Sequence, residues 1–149
     1  KKAGIYGMIG GQVTDVRETG HKLSREKLDF IYALKTGALI ESSMMIGAVL
    51  AGASEEEIKQ AEKIAAKTGF AFQVQDDILD VTSTSETLGK PVHSDEKNEK
   101  TTYVTLVGIE EAKKIVERES EEAIRILETL PGEKGYLTWL LEELIHREK

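Results

Sequence analysis

Three carboxylates stand in one otherwise apolar stretch of the chain, residues 70–81. They are Asp76, Asp77 and Asp80. Residues i and i+4 share a face of a helix, so Asp76 and Asp80 stack one turn apart, with Asp77 beside them. Gln73 lies on the same side. Like charges at this spacing cost a helix roughly 0.2–0.5 kcal/mol, and the C-terminal end of a helix is unfavourable for anions. These two penalties together predict a bound cation.

The ligand chemistry of this acidic cluster favours Mg²⁺. Oxygen ligands without His or Cys are suited to that ion, which proteins commonly hold through one or two carboxylates plus substrate phosphates. We therefore predict a Mg²⁺ site at the cluster, with Mn²⁺ as the alternative metal. The competing interpretation is a solvated acidic helix end. Apolar neighbours such as Val74 and Ile78 favour the metal site, because they bury its surroundings.

The composition predicts one all-α domain. The 149 residues are 40% hydrophobic and 32% charged, with only two prolines and no cysteine, which excludes disulfides and fits a reducing, cytoplasmic location. A net charge of −7 argues against nucleic acid as a partner. No apolar run approaches the length of a membrane span, so we expect no stable membrane insertion. The chain opens without an initiator Met, and we expect it to be a piece of a longer protein.

Hydrophobic spacing and capping signals place the helices that position the cluster. Ser24 and Ser54 are predicted N-caps, and Ser54 forms a capping box with Glu57. Residues 82–100 lack periodicity and are predicted to be a long loop, of a length that is uncommon unless the loop is functional or disordered. The predicted helices cover about residues 3–16, 25–50, 55–81, 103–107, 110–130 and 136–147. The acidic cluster therefore lies at the end of the longest helix.

Lysines beside flexible backbone points complete the predicted site. Lys35 precedes Gly37 and interrupts an apolar pattern, Lys90 follows Gly89, and Lys100 ends the long loop. Carboxylates together with several lysines suit a diphosphate held through a metal ion. The three histidines lie in unrelated contexts, so no nucleophile–base pair is predicted. The expected chemistry is the stabilisation of a departing diphosphate.

The glycines of the first predicted helix form a separate signal. Gly4, Gly7 and Gly11 recur at helical spacing. Because glycine costs a helix interior about 1 kcal/mol relative to alanine, such a face predicts close backbone packing or ligand approach.

Four ordered motifs resemble those of the polyprenyl diphosphate synthases. Residues 72–80, which read Phe-Gln-x-x-Asp-Asp-x-x-Asp, are similar to the second aspartate-rich region of that family. The others are Gly10-Gly11-Gln12-x-x-Asp15, Lys35-Thr36-Gly37 and Leu88-Gly89-Lys90-Pro91. The stretch from residue 90 to residue 103 looks most like the bacterial farnesyl diphosphate synthases. The resemblance covers nearly all of this chain but about half of a synthase.

The resemblance implies a fold and a reaction. Residues 1–149 would be the C-terminal part of the isoprenoid synthase helical bundle, within a polyprenyl synthetase domain. The family condenses isopentenyl diphosphate head-to-tail with an allylic diphosphate, dimethylallyl or geranyl, in a cavity that holds three Mg²⁺ ions. By position, Asp76 would be the principal metal ligand, and Asp77 and Asp80 would support the metal and its waters. The expected product is farnesyl diphosphate, and the expected assembly is a homodimer.

The resemblance also implies which residues face the substrates. Lys35 and Lys90 would grip the allylic diphosphate, with Lys100 adding charge nearby. Gln73 and the backbone carbonyl of Thr36 would face the carbocation.

Phe72 would line the floor near the isopentenyl group. The match of Gln12 and Asp15 assigns these two residues no catalytic role, although Asp15 suits the second shell of the metal.

This chain lacks the first aspartate-rich motif, the basic residues that hold isopentenyl diphosphate and the positions that set product length, which belong to the N-terminal half of the family. We therefore expect it to present half of a metal site and to be inactive alone. A class I terpene cyclase is the first alternative, but the sequence lacks the second metal motif of that class. A non-catalytic helical subunit of the same family is the second alternative, and it predicts eroded motifs where this sequence has intact ones.

Overall fold

A computed structural model describes residues 1–83 and 100–147 of the chain, without the side chain of His146. These residues form helices and contain no strand, which confirms the all-α prediction. The elements are α1 (Met8–Glu18), α2 (Arg25–Tyr32), a π-helical turn (Ala33–Gly37), α3 (Ala38–Leu50), α4 (Glu55–Thr82), α5 (Tyr103–Val107), α6 (Ile109–Thr129) and α7 (Gly135–His146). The predicted loop at 82–100 lies mostly outside the described residues.

The first helix begins later than the sequence predicts. Residues 1–7 form turns, and α1 starts at Met8. The reason lies in Gly7, whose backbone (φ −141°, ψ −126°) is far from helical. A Cβ at this position would stand 1.8 Å from the carbonyl oxygen of Lys2. The predicted glycine face is therefore divided, with Gly4 and Gly7 in a tight turn and Gly11 in the helix.

The second and third helices form one continuous helical stretch through the π turn. The Ser24 Oγ accepts the backbone N–H of Lys27 at 3.3 Å, which confirms the predicted N-cap. The interruption predicted at Lys35-Thr36-Gly37 is a widened helical turn rather than a break. Such turns are rare and are frequently found at functional sites.

Helix α4 is the central element, and it carries the acidic cluster. Its predicted capping box is confirmed, because the Ser54 N–H donates to Glu57 Oε2 at 2.6 Å and the Glu57 N–H donates to Ser54 Oγ at 3.3 Å. The helix packs on one side against α6 and on another against α3 and the π turn. Its buried positions form a core with residues from α2, α5, α6 and α7, including Ile31, Ile64, Val74, Tyr103, Ile115, Leu127 and Ile145. This packing fixes the C-terminal half of α4, where the cluster lies.

One described helical stretch is more apolar than the sequence analysis recognised. Residues Arg25–Leu50 are long and apolar enough to cross a membrane, by length and composition only, with a mean hydropathy of 1.3 over the most apolar window. Only 11% of that window is buried in the structure. The expectation that no segment reaches this length is therefore corrected. Length and composition alone do not decide between a membrane span and another kind of helix, so the absence of membrane insertion stays a prediction.

Candidate active site

Five of the residues predicted from the sequence line a single cleft of about 110 Å³. The cleft lies between α1, the π turn, the C-terminal half of α4 and the segment 100–102. The predicted residues that line it are Lys35, Gln73, Asp76, Asp77 and Lys100. These cations and carboxylates from three separate parts of the chain thus face the same small volume.

The other predicted residues are placed differently. Thr36, Phe72 and Asp80 do not line this cleft. The Thr36 carbonyl accepts the backbone N–H of Ala38 within the helical stretch. Lys90 lies outside the described residues, so its role stays a prediction.

Lys35 owes its position to the π turn and to a close helix crossing. Helix α1 passes so near the turn that a Cβ on Gly11 would stand 2.4 Å from the backbone nitrogen of Lys35. One turn further along α1, Asp15 Oδ2 lies 2.6 Å from Lys35 Nζ. Lys100 Nζ approaches the same oxygen at 3.7 Å. Two ammonium groups therefore converge on one carboxylate at the edge of the cleft.

The segment that carries Lys100 is anchored to the loop that precedes α2. The Thr101 Oγ1 accepts the backbone N–H of Leu23 at 3.0 Å. Thr102 caps α5, since the Thr105 N–H donates to Thr102 Oγ1 at 3.2 Å. These contacts hold residues 100–102 against the end of the loop that precedes α2.

The three clustered aspartates have different surroundings. The Asp76 side chain is 37% exposed at the cleft. Asp77 is buried, with both Oδ atoms near the Tyr32 hydroxyl, at 2.8 and 2.6 Å. The Asp77 Oδ2 also accepts the backbone N–H of Tyr103 at 2.7 Å. Asp80 is 2% exposed. Asp77 therefore ties α4 to α2 and to the N-terminus of α5, while Asp76 is the most exposed carboxylate of the cluster at the cleft.

The acidic cluster supplies few ligands for a divalent cation. Among residues 1–83 and 100–147, no three Asp, Glu or His side chains are grouped closely enough to hold a metal by themselves. Mg²⁺ is, however, commonly held by one or two carboxylates, with substrate phosphates completing its shell. Asp76 is a partly exposed carboxylate at the cleft, where its Oδ1 lies 3.0 Å from the Arg147 guanidinium. The residues fit a shared metal that needs further ligands from a substrate.

The Tyr103 hydroxyl, next to the Asp77 contacts, gives a pH-dependent prediction. Burial, helped by a hydrogen bond donated to Asp29 and opposed by Arg25, raises the pKa of Tyr103 to about 12. The folded protein therefore favours the neutral phenol. The neutral phenol therefore contributes to the stability of the folded state. This contribution is complete below pH 10, the ordinary pKa of tyrosine, and is lost as the pH rises from about 10 to 12. The contribution of Tyr103 is the difference between the absorbance titrations of the wild type and of Tyr103→Phe. We expect this difference to show no phenolate signal near pH 10. An ordinary titration in that difference would contradict the assignment.

Comparison with known proteins decides the family. A family model described as polyprenyl synthetase matches residues 2–138. The chain belongs to the polyprenyl synthetase family. This result confirms the resemblance drawn from the four motifs.

Relatives of this polyprenyl synthetase chain are found among plant and bacterial enzymes. The chloroplastic geranylgeranyl pyrophosphate synthase of Capsicum annuum is 43% identical over 136 residues, which are 91% of this chain and 37% of that enzyme. The farnesyl diphosphate synthase of Geobacillus stearothermophilus is 35% identical over 148 residues, 99% of this chain and 50% of that enzyme. A solved structure of a Helicobacter pylori geranyltransferase, complexed with magnesium and isoprenyl diphosphate, has a TM-score of 0.76 at 36% identity. It covers 97% of this chain and 46% of that one. The chain thus spans about half the length, or less, of these relatives.

The sequence analysis missed one residue that contacts the acidic cluster. The Arg147 guanidinium pairs with Asp76, lies 3.9 Å from the centre of the Phe72 ring, and follows α7. Its carbonyl accepts Gln75 Nε2 at 3.4 Å. A single arginine at the end of a scaffold helix gives no motif, so only the fold reveals that it reaches the acidic cluster.

Proposed function

We propose that this chain supplies half of the active site of a prenyltransferase that joins isopentenyl diphosphate to dimethylallyl or geranyl diphosphate. The observation that carries the proposal is the convergence of Lys35, Lys100 and Asp76 on one cleft. Lysines suit the diphosphate oxygens, and a cleft carboxylate suits the metal that such a diphosphate brings. Family membership supports the reaction class.

In the proposed site Asp76 holds Mg²⁺, with Asp77 and Asp80 supporting it through their fixed positions on α4. The metal would neutralise and orient the diphosphate when bound. Mn²⁺ is the alternative. Asp77 contributes mainly by holding α4 against α2 and α5, as its contacts with Tyr32 and Tyr103 indicate.

The proposed reaction begins with ionisation of the allylic diphosphate. The bond between its C1 carbon and oxygen breaks, and the electron pair leaves with the diphosphate. Lys35, Lys90 and Lys100 would stabilise the growing negative charge. Gln73 and the carbonyl of Thr36 would place oxygen dipoles towards the allylic cation.

The carbon–carbon bond then forms when the alkene of isopentenyl diphosphate attacks the cation. The released diphosphate takes the proton that is lost, so the charges balance. We propose that Phe72 lines the floor near the isopentenyl group.

The rest of the proposed enzyme lies outside this chain. Coverage of half or less of the relatives supports a missing N-terminal half that carries the first aspartate-rich motif and the isopentenyl diphosphate site. We propose a cytoplasmic homodimer that makes farnesyl diphosphate. The proposed product rests on the motif at residues 90–103, since relatives include both farnesyl and geranylgeranyl synthases.

Titration calorimetry of geranyl diphosphate into this chain, with and without Mg²⁺, tests the proposal. We expect binding that requires Mg²⁺ and that weakens at least about tenfold in Asp76→Ala, because the metal loses its cleft ligand. Glu56→Ala is the matched control, since it removes an exposed carboxylate at the other end of α4. Circular dichroism verifies that each variant is folded. Binding that ignores both Mg²⁺ and the Asp76 substitution would overturn the metal assignment. A folded wild type that binds no geranyl diphosphate would overturn the proposal that this chain supplies half of the active site.

A further inference from the structure

The close packing of Gly11 in α1 against the π turn determines where Asp15 lies, a residue to which the family match assigns no role. Gly11 is buried against the π turn, where a Cβ would stand 2.8 Å from Leu34 Cβ and 2.4 Å from the Lys35 backbone nitrogen. Only a residue without a side chain lets the two backbones approach so closely. Asp15 follows one helical turn later on the same face of α1. The close crossing therefore delivers the Asp15 carboxylate directly to the Lys35 side chain.

Asp15 joins two lysines that come from distant parts of the chain. Its Oδ2 lies 2.6 Å from Lys35 Nζ, in the π turn, and 3.7 Å from Lys100 Nζ, in the segment before α5. All three residues line the same cleft as Asp76. The two ammonium groups would repel each other, and a carboxylate between them offsets that repulsion.

These ion pairs do little for the stability of the fold. The Asp15 side chain is 18% exposed and the two lysine side chains are 32% and 33% exposed. Partly solvated pairs contribute little to folding. A lysine is a compact charge on a flexible four-carbon stem, so a fixed partner determines where that charge is held. The arrangement is suited to orienting cations rather than to holding helices together.

We propose that Asp15 is a positioning residue, which gathers Lys35 and Lys100 into one pair that receives a single diphosphate. The inference rests on the proposed function. This role is distinct from that of a metal ligand, and the double-mutant cycle below separates the two. Asp15 acts through the lysines and has no need to touch the substrate.

The first test needs no ligand. Nuclear magnetic resonance of lysine side-chain ammonium groups, assigned with Lys35→Arg and Lys100→Arg, reports hydrogen-bonded and immobilised amines. We expect the Lys35 signal to show a weaker hydrogen bond and more motion in Asp15→Asn, because a neutral amide oxygen is a poorer acceptor for an ammonium group than a carboxylate is, while the melting temperature stays unchanged. Glu18→Gln is the matched control, because Glu18 also lies on α1 and pairs with Lys27 at 2.5 Å. A Lys35 signal that is the same in wild type and Asp15→Asn would overturn the inference.

The second test measures affinity for inorganic diphosphate with Mg²⁺ by calorimetry. Preorganisation of two long side chains predicts about tenfold weaker binding in Asp15→Asn. Glu18→Gln removes the same charge from the same helix and should not weaken binding. If Asp15→Asn and Glu18→Gln both bind diphosphate at least as tightly as the wild type does, the Asp15 carboxylate acts only as a negative charge and the inference is wrong.

A double-mutant cycle separates positioning from direct contact. Because Asp15 acts through the lysines, Asp15→Asn should change affinity less than about twofold in the Lys35→Ala/Lys100→Ala background. A full tenfold loss in that background would assign Asp15 to the metal or the ligand itself and overturn the inference. A wild type that binds no diphosphate would overturn the proposed function, and the ammonium signals would still decide the role of Asp15.

Discussion

Asp77→Ala is expected to lower the free energy of unfolding by about 3–5 kcal/mol, a large part of the 5–15 kcal/mol of an ordinary domain. Asp77 is buried and accepts hydrogen bonds from the Tyr32 hydroxyl and the Tyr103 backbone N–H. Its removal leaves two buried donors without this acceptor, and each such donor costs about 1–3 kcal/mol. Urea denaturation followed by far-ultraviolet circular dichroism measures the loss.

The neighbouring aspartate is the matched control for this prediction. Asp76→Ala removes the same group one residue earlier, but its partner Arg147 and its own side chain are both partly solvated. We expect a change in unfolding free energy below about 1 kcal/mol. The loss of unfolding free energy in Asp77→Asn should lie between those of Asp77→Ala and Asp76→Ala, because the amide keeps one acceptor oxygen. An Asp77→Ala protein of normal stability that fails to bind Mg²⁺ would show that Asp77 is a metal ligand instead of a structural anchor.

Gly11→Val is expected to cost about 3 kcal/mol or more, at the upper end of overpacking effects. The added Cβ would stand 2.4 Å from the Lys35 nitrogen, a backbone atom that cannot move without shifting the π turn. For a chain of 149 residues such a loss lowers the melting temperature by roughly 6–12 °C. The same displacement moves Lys35 away from the cleft, so diphosphate affinity should fall as well. Thermal denaturation and calorimetry measure the two effects.

Gly47 in α3 provides the contrasting case. A Cβ at Gly47 meets no described atom within 4 Å. Gly47→Ala should therefore stabilise the protein by up to about 1 kcal/mol, through helix propensity alone. If Gly11→Val proved as harmless as Gly47→Ala, α1 would not pack against the π turn in solution.

Local signals in the sequence were sufficient for much of the fold and for the composition of the site. The capping box at Ser54 marks the start of α4, and hydrophobic spacing places its buried side. The acidic cluster and Lys35 could be recognised because their spacing is unusual for a helix of this composition. In the structure Lys35, Asp76 and Asp77 line one cleft, whereas Asp80 does not.

Other features depend on contacts between distant residues and had no local signal. Asp76 and Asp77 are chemically identical neighbours, and only the positions of Tyr32 and Tyr103 give them different surroundings. Arg147 reaches Asp76 across 71 positions of sequence. The late start of α1 was missed because Gly4 and Gly7 have helical spacing but form a turn.

The π turn at Ala33–Gly37 also has a genetic consequence. A π turn corresponds to an α-helix with one extra residue, and each residue of an α-helix turns the chain by about 100°. Deletion of one codon here would restore an unbroken α-helix without disturbing the reading frame. Because the π turn accommodates its extra residue locally, the faces of α2 and α3 would keep their alignment, while the turn that carries Lys35 would tighten and shift Lys35 relative to Asp15. The contact between Lys35 and Asp15 thus depends on a single residue of this turn, while the helices on either side do not.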